Sequence, residues 1–271
     1  MEFSPDHPGY HDQKYRDHRA RIAKQALSYR LGQPVPVIGY TEEEQGIWRL
    51  INADLAIRHE RYACREYLAA ADRLALPSDR IPQLGEVSEA LRRETGFRFA
   101  PAAGLVGIRE FYGSLASHLF LATQYIRHSS FPRFSPEPDM IHEIVGHGTH
   151  LCDRRWAEMY ELFGRAVRRL TGLAAVKEVS RVFWFTVEYG LVREDGKIKG
   201  CGASLLSSPG EMEHFHNAEI KPLDLPAMVG QEYQVEKFQP VLFCADSFAH
   251  LEDFLGDFLT TVEDREAVPS T

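Results

Sequence analysis

The chain has 271 residues, of which 44% are hydrophobic and 26% are charged. This is the composition of an ordinary globular protein that is long enough to bury a sizeable core. Acidic residues outnumber basic ones, 39 to 31, and the resulting net charge of −8 gives no electrostatic reason to expect a nucleic-acid partner.

The cysteines and the N-terminus indicate the compartment. The four cysteines are widely spaced and form no CxxC pair, which favours free thiols in a reducing compartment over a disulfide framework. The first ten residues are polar and do not form a signal peptide. No apolar run reaches the length of a membrane span. We therefore expect a cytoplasmic protein without membrane contact.

The first predicted elements are helical. Residues 1–20 read as an irregular arm with a short helix. Thr41 and Glu44 form a capping-box pattern at the start of a longer helix. Apolar residues then recur at helical spacing, at Ile47, Ile51 and Leu55.

Helices are predicted next over 84–95, before Gly96, and over 108–126. Three prolines between 132 and 138 favour an extended loop. Another helix should begin near Pro138 and Asp139, because proline suits the first turn and aspartate its positive end.

The C-terminal part mixes helices with short strands. A helix is predicted over 153–171, whereas 181–190 is ambiguous because it is rich in β-favouring residues. The sequence Glu-Asp-Gly at 194–196 marks a turn between two extended segments. A strand over 235–245 and a helix over 246–262 complete a single domain of mainly α class with short β-hairpins.

The segment that carries chemistry contains His142 and His147, with Glu143 beside the first. The two histidines are five residues apart, one more than in the zinc-protease motif HExxH. On a continuous α-helix they would point roughly 140° apart. We therefore expect Gly146 to end the helix and turn His147 back towards a shared metal ion.

Glu188 is the candidate for a third, anionic ligand, since two histidines and one carboxylate form the facial triad of O2-activating iron enzymes. It is a lone acid in an aromatic run over 183–190, and a buried carboxylate needs a metal or a cation as partner. The same set can hold catalytic Zn2+ in a hydrolase, with Glu143 as general base. On spacing alone, His150 is predicted at the surface or beside a ligand, and Cys152 in the core.

Several short motifs, in order from about residue 6 to about 262, resemble the pterin-dependent aromatic amino acid hydroxylases, and most of all their phenylalanine-hydroxylating branch. They are DHPG at 6–9, IPQL at 81–84, TQYIRH at 123–128, PEPD at 136–139, HE and GH at 142–147, WFTVE at 184–188, LLSS at 205–208 and FQP at 238–240.

The resemblance implies a mostly helical catalytic domain over 1–271, with 1–20 as an N-terminal arm, 264–271 as a frayed tail and 181–190 as helix. It implies that His142, His147 and Glu188 bind iron.

The resemblance also implies the residues that bind the organic molecules. Arg127 matches the residue that grips the substrate carboxylate with its bidentate fork, and Asp139 orients it. The other substrate-side residues are Ser135, Pro138, Trp184, Ser207, Phe134 and Thr149. The pterin-side residues are Phe111, which stacks on the pterin ring, Val106, and Glu143, which is also the acid near the iron and is expected to act in catalysis.

The implied activity is a monooxygenase that uses Fe(II), a tetrahydropterin and O2 to hydroxylate the ring of L-phenylalanine. Hydroxylation at the para carbon is the family default. Tryptophan or tyrosine is an alternative substrate. The chain has neither the regulatory domain nor the tetramerising tail of animal members, and in this it resembles bacterial enzymes, which implies a monomer.

Departures from the family pattern lie near the expected pocket. Phe134 replaces a tyrosine, Thr149 a proline and Ser204 a glycine, while Cys201 replaces a tyrosine and Leu121 a pterin-side histidine. Because these changes reshape the pocket and leave the iron ligands intact, hydroxylation at the meta carbon is a second expectation. A meta product would indicate secondary metabolism.

Overall fold

The computed structural model describes residues 5, 7–133, 135, 137–235 and 237–264. The described helices are α1 (Gln13–Ser28), α2 (Glu42–Tyr62), α3 (Arg65–Leu74), α4 (Leu84–Glu94), α5 (Ile108–Leu115), α6 (Thr149–Leu151), α7 (Arg154–Arg169), α8 (Leu173–Phe183), α9 (Ala203–Leu206), α10 (Pro209–His214), α11 (Leu225–Gly230) and α12 (Phe248–Thr261). Two π-helical segments, His142–Gly148 and Trp184–Glu188, and a 3-10 turn, Phe215–Asn217, complete the helical part. None of these helices is both long and apolar enough to cross a membrane.

The core is centred on α7, which packs against α5 on one side and α12 on the other. Trp156, Tyr160, Phe163 and Val167 lie along its buried face at helical spacing. Gly164 faces the end of α5, where a Cβ atom would lie 2.1 Å from the backbone nitrogen of Ala116. The glycine therefore allows the two helices to approach closely.

Six short strands form two small sheets in the described part of the chain. They are β1 (Arg98–Pro101), β2 (Leu119–Ala122), β3 (Leu191–Glu194), β4 (Lys197–Gly200), β5 (Glu219–Pro222) and β6 (Val241–Ala245). β1 pairs with β2 in parallel, and the larger sheet has the order β4-β3-β6-β5. Of these pairings only β3–β4 is antiparallel. The predicted mainly α fold with a small β component is therefore confirmed, with β3–β4 as its hairpin, and tertiary contacts bring the other strands together.

The β3–β4 hairpin confirms the predicted turn. Asp195 and Gly196 have φ angles of 49° and 74°, the left-handed conformation that a two-residue hairpin turn requires.

Most predicted helices are confirmed. Thr41 and Glu44 form both hydrogen bonds of the capping box at the start of α2. α4 ends just before Gly96, whose φ angle is +83°. The helices expected over 153–171 and 246–262 correspond to α7 and α12. The arm expected over 1–20 instead enters α1, which continues to Ser28.

Two predicted elements are wrong in extent. The helix expected over 108–126 ends at Leu115, and β2 follows a left-handed residue, His118, with a φ angle of 52°. Pairing with β1 overrides the local helical pattern there. The strand expected over 235–245 begins only at Val241, after Pro240, which has no N–H to donate to a sheet.

Candidate active site

The first π-helical segment explains how His142 and His147 come together. The prediction that Gly146 ends the helix is wrong, because the π segment continues through Gly148 into α6. Its wider i→i+5 hydrogen bonding places a residue roughly above the one five positions earlier. The two imidazoles therefore lie on the same side, with their Nε2 atoms 3.0 Å apart.

Gly146 has a different role from the predicted one. A Cβ atom at this position would lie 2.8 Å from the carbonyl oxygen of Ala203. The glycine therefore lets α9 approach the backbone of the π segment.

The second π segment, at the end of α8, brings Glu188 to the same place. Its Oε1 atom is 3.2 Å from Nε2 of His147, and its Oε2 atom is 3.8 Å from Nε2 of His142. Among the described residues these three side chains form a group whose ligand atoms all lie within 4.8 Å of one another. Two imidazole nitrogens and one carboxylate at this separation fit a divalent metal such as iron or zinc.

The protonation states also suit metal binding. Burial alone would raise the pKa of Glu188, but His147, His142 and a hydrogen bond from Ser204 lower it to about 2. Burial and the nearby His147 lower the pKa of His142 to about 4. At neutral pH the carboxylate is therefore ionised and the His142 ring is neutral, the forms that bind a metal.

The orientation of the His142 ring is fixed by Ser207. The Ser207 hydroxyl donates to the carbonyl oxygen of Ala203 at 2.8 Å, and its oxygen is 3.1 Å from Nδ1 of His142. Because that hydroxyl proton is used, the serine oxygen accepts the Nδ1–H of His142. The Nε2 lone pair then points towards the metal position.

A longer chain of hydrogen bonds fixes His147. Nε2–H of His150 donates to the carbonyl oxygen of Cys201 at 2.8 Å, so Nδ1 of His150 accepts from the hydroxyl of Tyr160 at 3.0 Å. The Tyr160 oxygen then accepts from Nδ1–H of His147 at 2.6 Å. Each donor has one acceptor, and Nε2 of His147 keeps its lone pair free for a metal.

The sequence predicted His150 either at the surface or beside a ligand, and the first of these predictions is wrong. His150 is fully buried and stacks on Trp156, with ring centroids 3.9 Å apart. It lies one hydrogen-bonded residue away from His147, which agrees with the other reading. Cys152 is buried, as predicted.

Arg127 and Asp139 form a buried ion pair beside the histidines. Nε and Nη2 of Arg127 donate to the two carboxylate oxygens of Asp139 at 2.9 and 2.7 Å. Burial would raise the pKa of Asp139, but Arg127 lowers it below its usual value. Asp139 also accepts from the backbone N–H of His142 at 3.1 Å. One carboxylate therefore holds the guanidinium and the start of the π segment in fixed relative positions.

A cavity of about 100 Å3 opens beside this ion pair. Its walls include most of the predicted substrate-side residues, namely Arg127, Ser135, Pro138, Trp184 and Ser207, together with His142 and Glu188. Asp139 lies behind Arg127. Thr149 is not among the lining residues, because it is buried in α6. The predicted substrate-side residue Phe134 lies outside the described residues.

A second cavity of about 270 Å3 adjoins the first. Its walls include the predicted pterin-side residues Val106, Phe111 and Glu143, together with Leu121. Both cavities are lined by Pro138, His142, Trp184 and Glu188. His142 and Glu188 therefore stand where the two cavities meet, and His147 lines the second cavity beside them.

Glu143 is held on the wall of the second cavity by Thr123. Its Oε1 atom accepts from the backbone N–H of Thr123 at 2.9 Å and from the hydroxyl at 3.1 Å. Burial raises the pKa of Glu143 to about 7. A carboxyl group with this pKa can hold or release a proton near neutral pH.

Several residues of the site were not found from sequence. Tyr160 comes from α7, and no spacing pattern links it to the histidines. Ser204 donates to Oε2 of Glu188 at 2.7 Å, and its only signal was its departure from the family pattern. Glu211, which also lines the first cavity, lies three residues after the LLSS motif and was not singled out.

The chain is similar in sequence to a known protein family and to individual members of it. The family model for biopterin-dependent aromatic amino acid hydroxylases matches residues 1–268. The chain is 43% identical to phenylalanine 3-hydroxylase of Streptomyces coeruleorubidus, covering 93% of this chain and 91% of that protein. It is 41% identical to tyrosine 3-monooxygenase of Bos taurus, covering 95% of this chain but only 54% of that protein.

Among solved structures, a phenylalanine hydroxylase of Chromobacterium violaceum with bound iron(III) and oxidised 7,8-dihydrobiopterin matches with a TM-score of 0.79. The identity is 25%, and the match covers 92% of this chain and 96% of that one.

Proposed function

Because the chain belongs to the biopterin-dependent aromatic amino acid hydroxylases, we propose that it hydroxylates the ring of L-phenylalanine with O2, Fe(II) and a tetrahydropterin. The observation that carries this proposal is the cluster of His142, His147 and Glu188, two of which, His142 and Glu188, line both cavities. The first cavity is lined by the Arg127 guanidinium, which suits an amino acid carboxylate, and the second is lined by the aromatic ring of Phe111.

The metal ligands and the rest of the protein would have different roles in the reaction. His142, His147 and Glu188 would hold the iron. Bound iron and tetrahydropterin supply the oxidising power for attack on the ring. The protein supplies placement, since a correctly positioned ring saves much of the entropy cost of the reaction.

Arg127 would bind the substrate carboxylate. Nε and one N–H of Nη2 are directed at Asp139, and Nη1 donates to the carbonyl oxygen of Pro132 at 3.2 Å. The guanidinium has five N–H donors, so two further donors are left for a carboxylate. Trp184 and Pro138, which line both cavities, would hold the aromatic ring beside the metal position.

Glu143 would bind the pterin from the wall of the second cavity. Its pKa near 7 allows it to accept a hydrogen bond from a pterin N–H as a carboxylate, or to donate one as an acid. Leu121, also on this wall, supplies an apolar contact where the family pattern has a histidine.

We propose the meta carbon as the position of attack. Support comes from the relative that is 43% identical over nearly its whole length and is named a phenylalanine 3-hydroxylase. The expectation from sequence linked this choice to Phe134, Thr149 and Cys201. Because Thr149 does not line the cavity, we now assign no part in ring placement to it.

One product analysis tests the proposal. The Fe(II) protein is incubated with a tetrahydropterin, O2 and phenylalanine, and ortho-, meta- and para-tyrosine are separated. We expect meta-tyrosine, formed only when O2 and the pterin are both present. Para-tyrosine would overturn the ring position, and turnover of tyrosine or tryptophan alone would overturn the substrate. No hydroxylated product from any of the three amino acids, with O2 and the pterin both present, would favour the hydrolase chemistry that the same ligand set permits with zinc.

We further propose that the chain acts as one catalytic domain and as a monomer in the cytoplasm. The four cysteines are all free and buried, which supports a reducing compartment. Light scattering during gel filtration tests the monomer, since a dimer would elute with twice the mass.

A further inference from the structure

Glu211 is a buried acid on the wall of the first cavity, which Arg127 also lines. Its side chain comes from α10, and the residue is 2% exposed. Ser208 accepts from the backbone N–H of Glu211 at 3.3 Å and caps the first turn of α10. The position of the acid is therefore fixed by the backbone at the start of a helix.

The carboxyl group of Glu211 is only partly satisfied. The backbone N–H of Gln239 lowers its pKa. The Oε1 atom is buried and has no hydrogen-bond partner among the described residues. Burial raises the pKa of this carboxyl to about 8, and no charged group contributes to the shift. Such a group destabilises the protein unless a ligand compensates it.

The other acids lining this cavity all have partners. Glu137 pairs with Arg19 and His7. Glu188 faces the two histidines of the candidate metal site. Among the described lining residues, Glu211 is thus the acid that has no cation beside it.

We propose that Glu211 binds the α-ammonium group of the amino acid substrate while Arg127 binds its carboxylate. This inference rests on the proposed function and adds a residue that recognises the substrate. An amino acid at neutral pH carries an ammonium group and a carboxylate on its α-carbon, so a guanidinium and an ionisable carboxyl group on the same cavity wall can bind both. The ammonium supplies N–H donors to Oε1, and its positive charge favours the ionised form of Glu211, so that the carboxyl proton is released as the substrate binds.

The arrangement predicts selectivity for amino acids. A site built to bond a substrate N–H rejects an analogue without it, because the buried polar group of the site is then left unpaired. A deaminated acid such as 3-phenylpropanoate would still bind Arg127 but would leave Glu211 uncompensated.

Calorimetric titration of the Fe(II) protein without O2 and with tetrahydropterin present tests this inference. Phenylalanine and 3-phenylpropanoate are titrated into the unaltered protein and into Glu211→Gln, which keeps the shape and removes the charge. We expect Kd for phenylalanine to rise roughly 10- to 100-fold in the variant, as for loss of a charged hydrogen bond. Kd for 3-phenylpropanoate should stay the same or fall.

Glu66→Gln is the matched control. Glu66 is a partly buried acid whose Oε2 atom lacks a hydrogen-bond partner in the described part of the chain. It differs from Glu211 in pairing with Arg155 through Oε1 at 3.5 Å, and it does not line either cavity. Its replacement should leave both Kd values unchanged. Glu211→Met, similar in length and without charge, should reproduce the loss seen with Glu211→Gln, and thermal unfolding shows that each variant is folded.

Two results would overturn the role of Glu211: an unchanged Kd for phenylalanine, or an equal loss for both compounds. The same titrations into both proteins are repeated with tyrosine, with tryptophan and with the deaminated analogue of each. If the protein hydroxylates none of the three amino acids yet shows selectivity that depends on Glu211, the proposed function fails and the ammonium site stands. If it hydroxylates phenylalanine and Glu211→Gln keeps full selectivity, the ammonium site fails and the proposed function stands.

Discussion

At the scale of single residues, the site is defined by hydrogen bonds that leave one atom of each histidine free. Ser207 takes up Nδ1–H of His142, and Tyr160 takes up that of His147. Both Nε2 atoms therefore face Glu188 as lone pairs. Partners of this kind fix the tautomer and direction of ligand rings, and their loss commonly weakens metal affinity.

Replacing His142, His147 or Glu188 by Ala should abolish iron binding and turnover, because each change removes one of three ligands. Iron content after reconstitution and removal of free metal is the measurement, with phenylalanine hydroxylation as the second. A variant that retained full iron and activity would show that its residue is not a ligand.

Tyr160→Phe should weaken Fe(II) binding roughly 10- to 100-fold, since it removes the hydroxyl that joins His147 to His150. The measurement is a competition titration with a chelator of known affinity. Tyr40→Phe is the control, because it removes a hydroxyl that donates to the carbonyl oxygen of Gln124 at 2.9 Å, away from the ligands. Equal iron affinity in Tyr160→Phe and the unaltered protein would contradict the role of the hydrogen-bond chain.

Arg127→Lys should raise KM for the amino acid at least about tenfold while leaving iron binding intact. Lysine keeps the charge but loses both the fork that binds a carboxylate and the two bonds to Asp139. Steady-state kinetics at saturating pterin measure the change. An unaltered KM would mean that another group binds the carboxylate.

At the scale of elements, the two π segments set the geometry of the site. Each occurs where a ligand residue lies, His142–Gly148 and Trp184–Glu188, as π turns often do at functional sites. α9 packs between them and contacts both, and it carries Ser204, which bonds Glu188. The spacing between α9 and the first π segment therefore controls where the ligands stand.

Gly146→Ala should destabilise the protein by about 1–3 kcal/mol and lower its iron affinity. The new Cβ would lie 2.8 Å from the Ala203 carbonyl oxygen, so the backbone must move. Gly113→Ala in α5 is the control: nothing lies within 4 Å of its Cβ position, and it should stabilise the helix by about 0.5–1 kcal/mol. Denaturant unfolding measures both, and identical behaviour of the two variants would contradict the close approach.

At the scale of the whole molecule, Glu211 should give stability a measurable pH dependence. Its folded pKa of about 8 is above its ordinary value of 4.5. The folded state therefore holds this proton more tightly, and the associated stabilisation, complete below pH 4.5, is lost as pH rises towards 8 and is gone above it. Between pH 4.5 and pH 8, the unfolding temperature of the unaltered protein should therefore fall relative to that of Glu211→Gln. Parallel curves would indicate that the carboxyl has an ordinary pKa.

The sequence alone predicted the features that depend on local patterns and on motifs. The capping residues Thr41 and Glu44 define the start of α2, and apolar spacing marks its buried face, because these signals act within a few residues. The motifs around His142, His147 and Glu188 identified the three side chains that the fold brings together. The residue types within each motif, two histidines in one and a carboxylate in the other, indicate metal binding without knowledge of the fold.

Only the tertiary structure decided the features that depend on approach between distant segments. Local pattern predicted α-helix over β2, which instead pairs with β1, and a helix end at Gly146 where a π segment continues. Tyr160, Ser204 and Glu211 come from three different helices, α7, α9 and α10, and each acquires its role from what lies across from it. Whether a polar side chain is paired, buried or facing a cavity depends on how these helices pack, and no pattern within one segment contains that information.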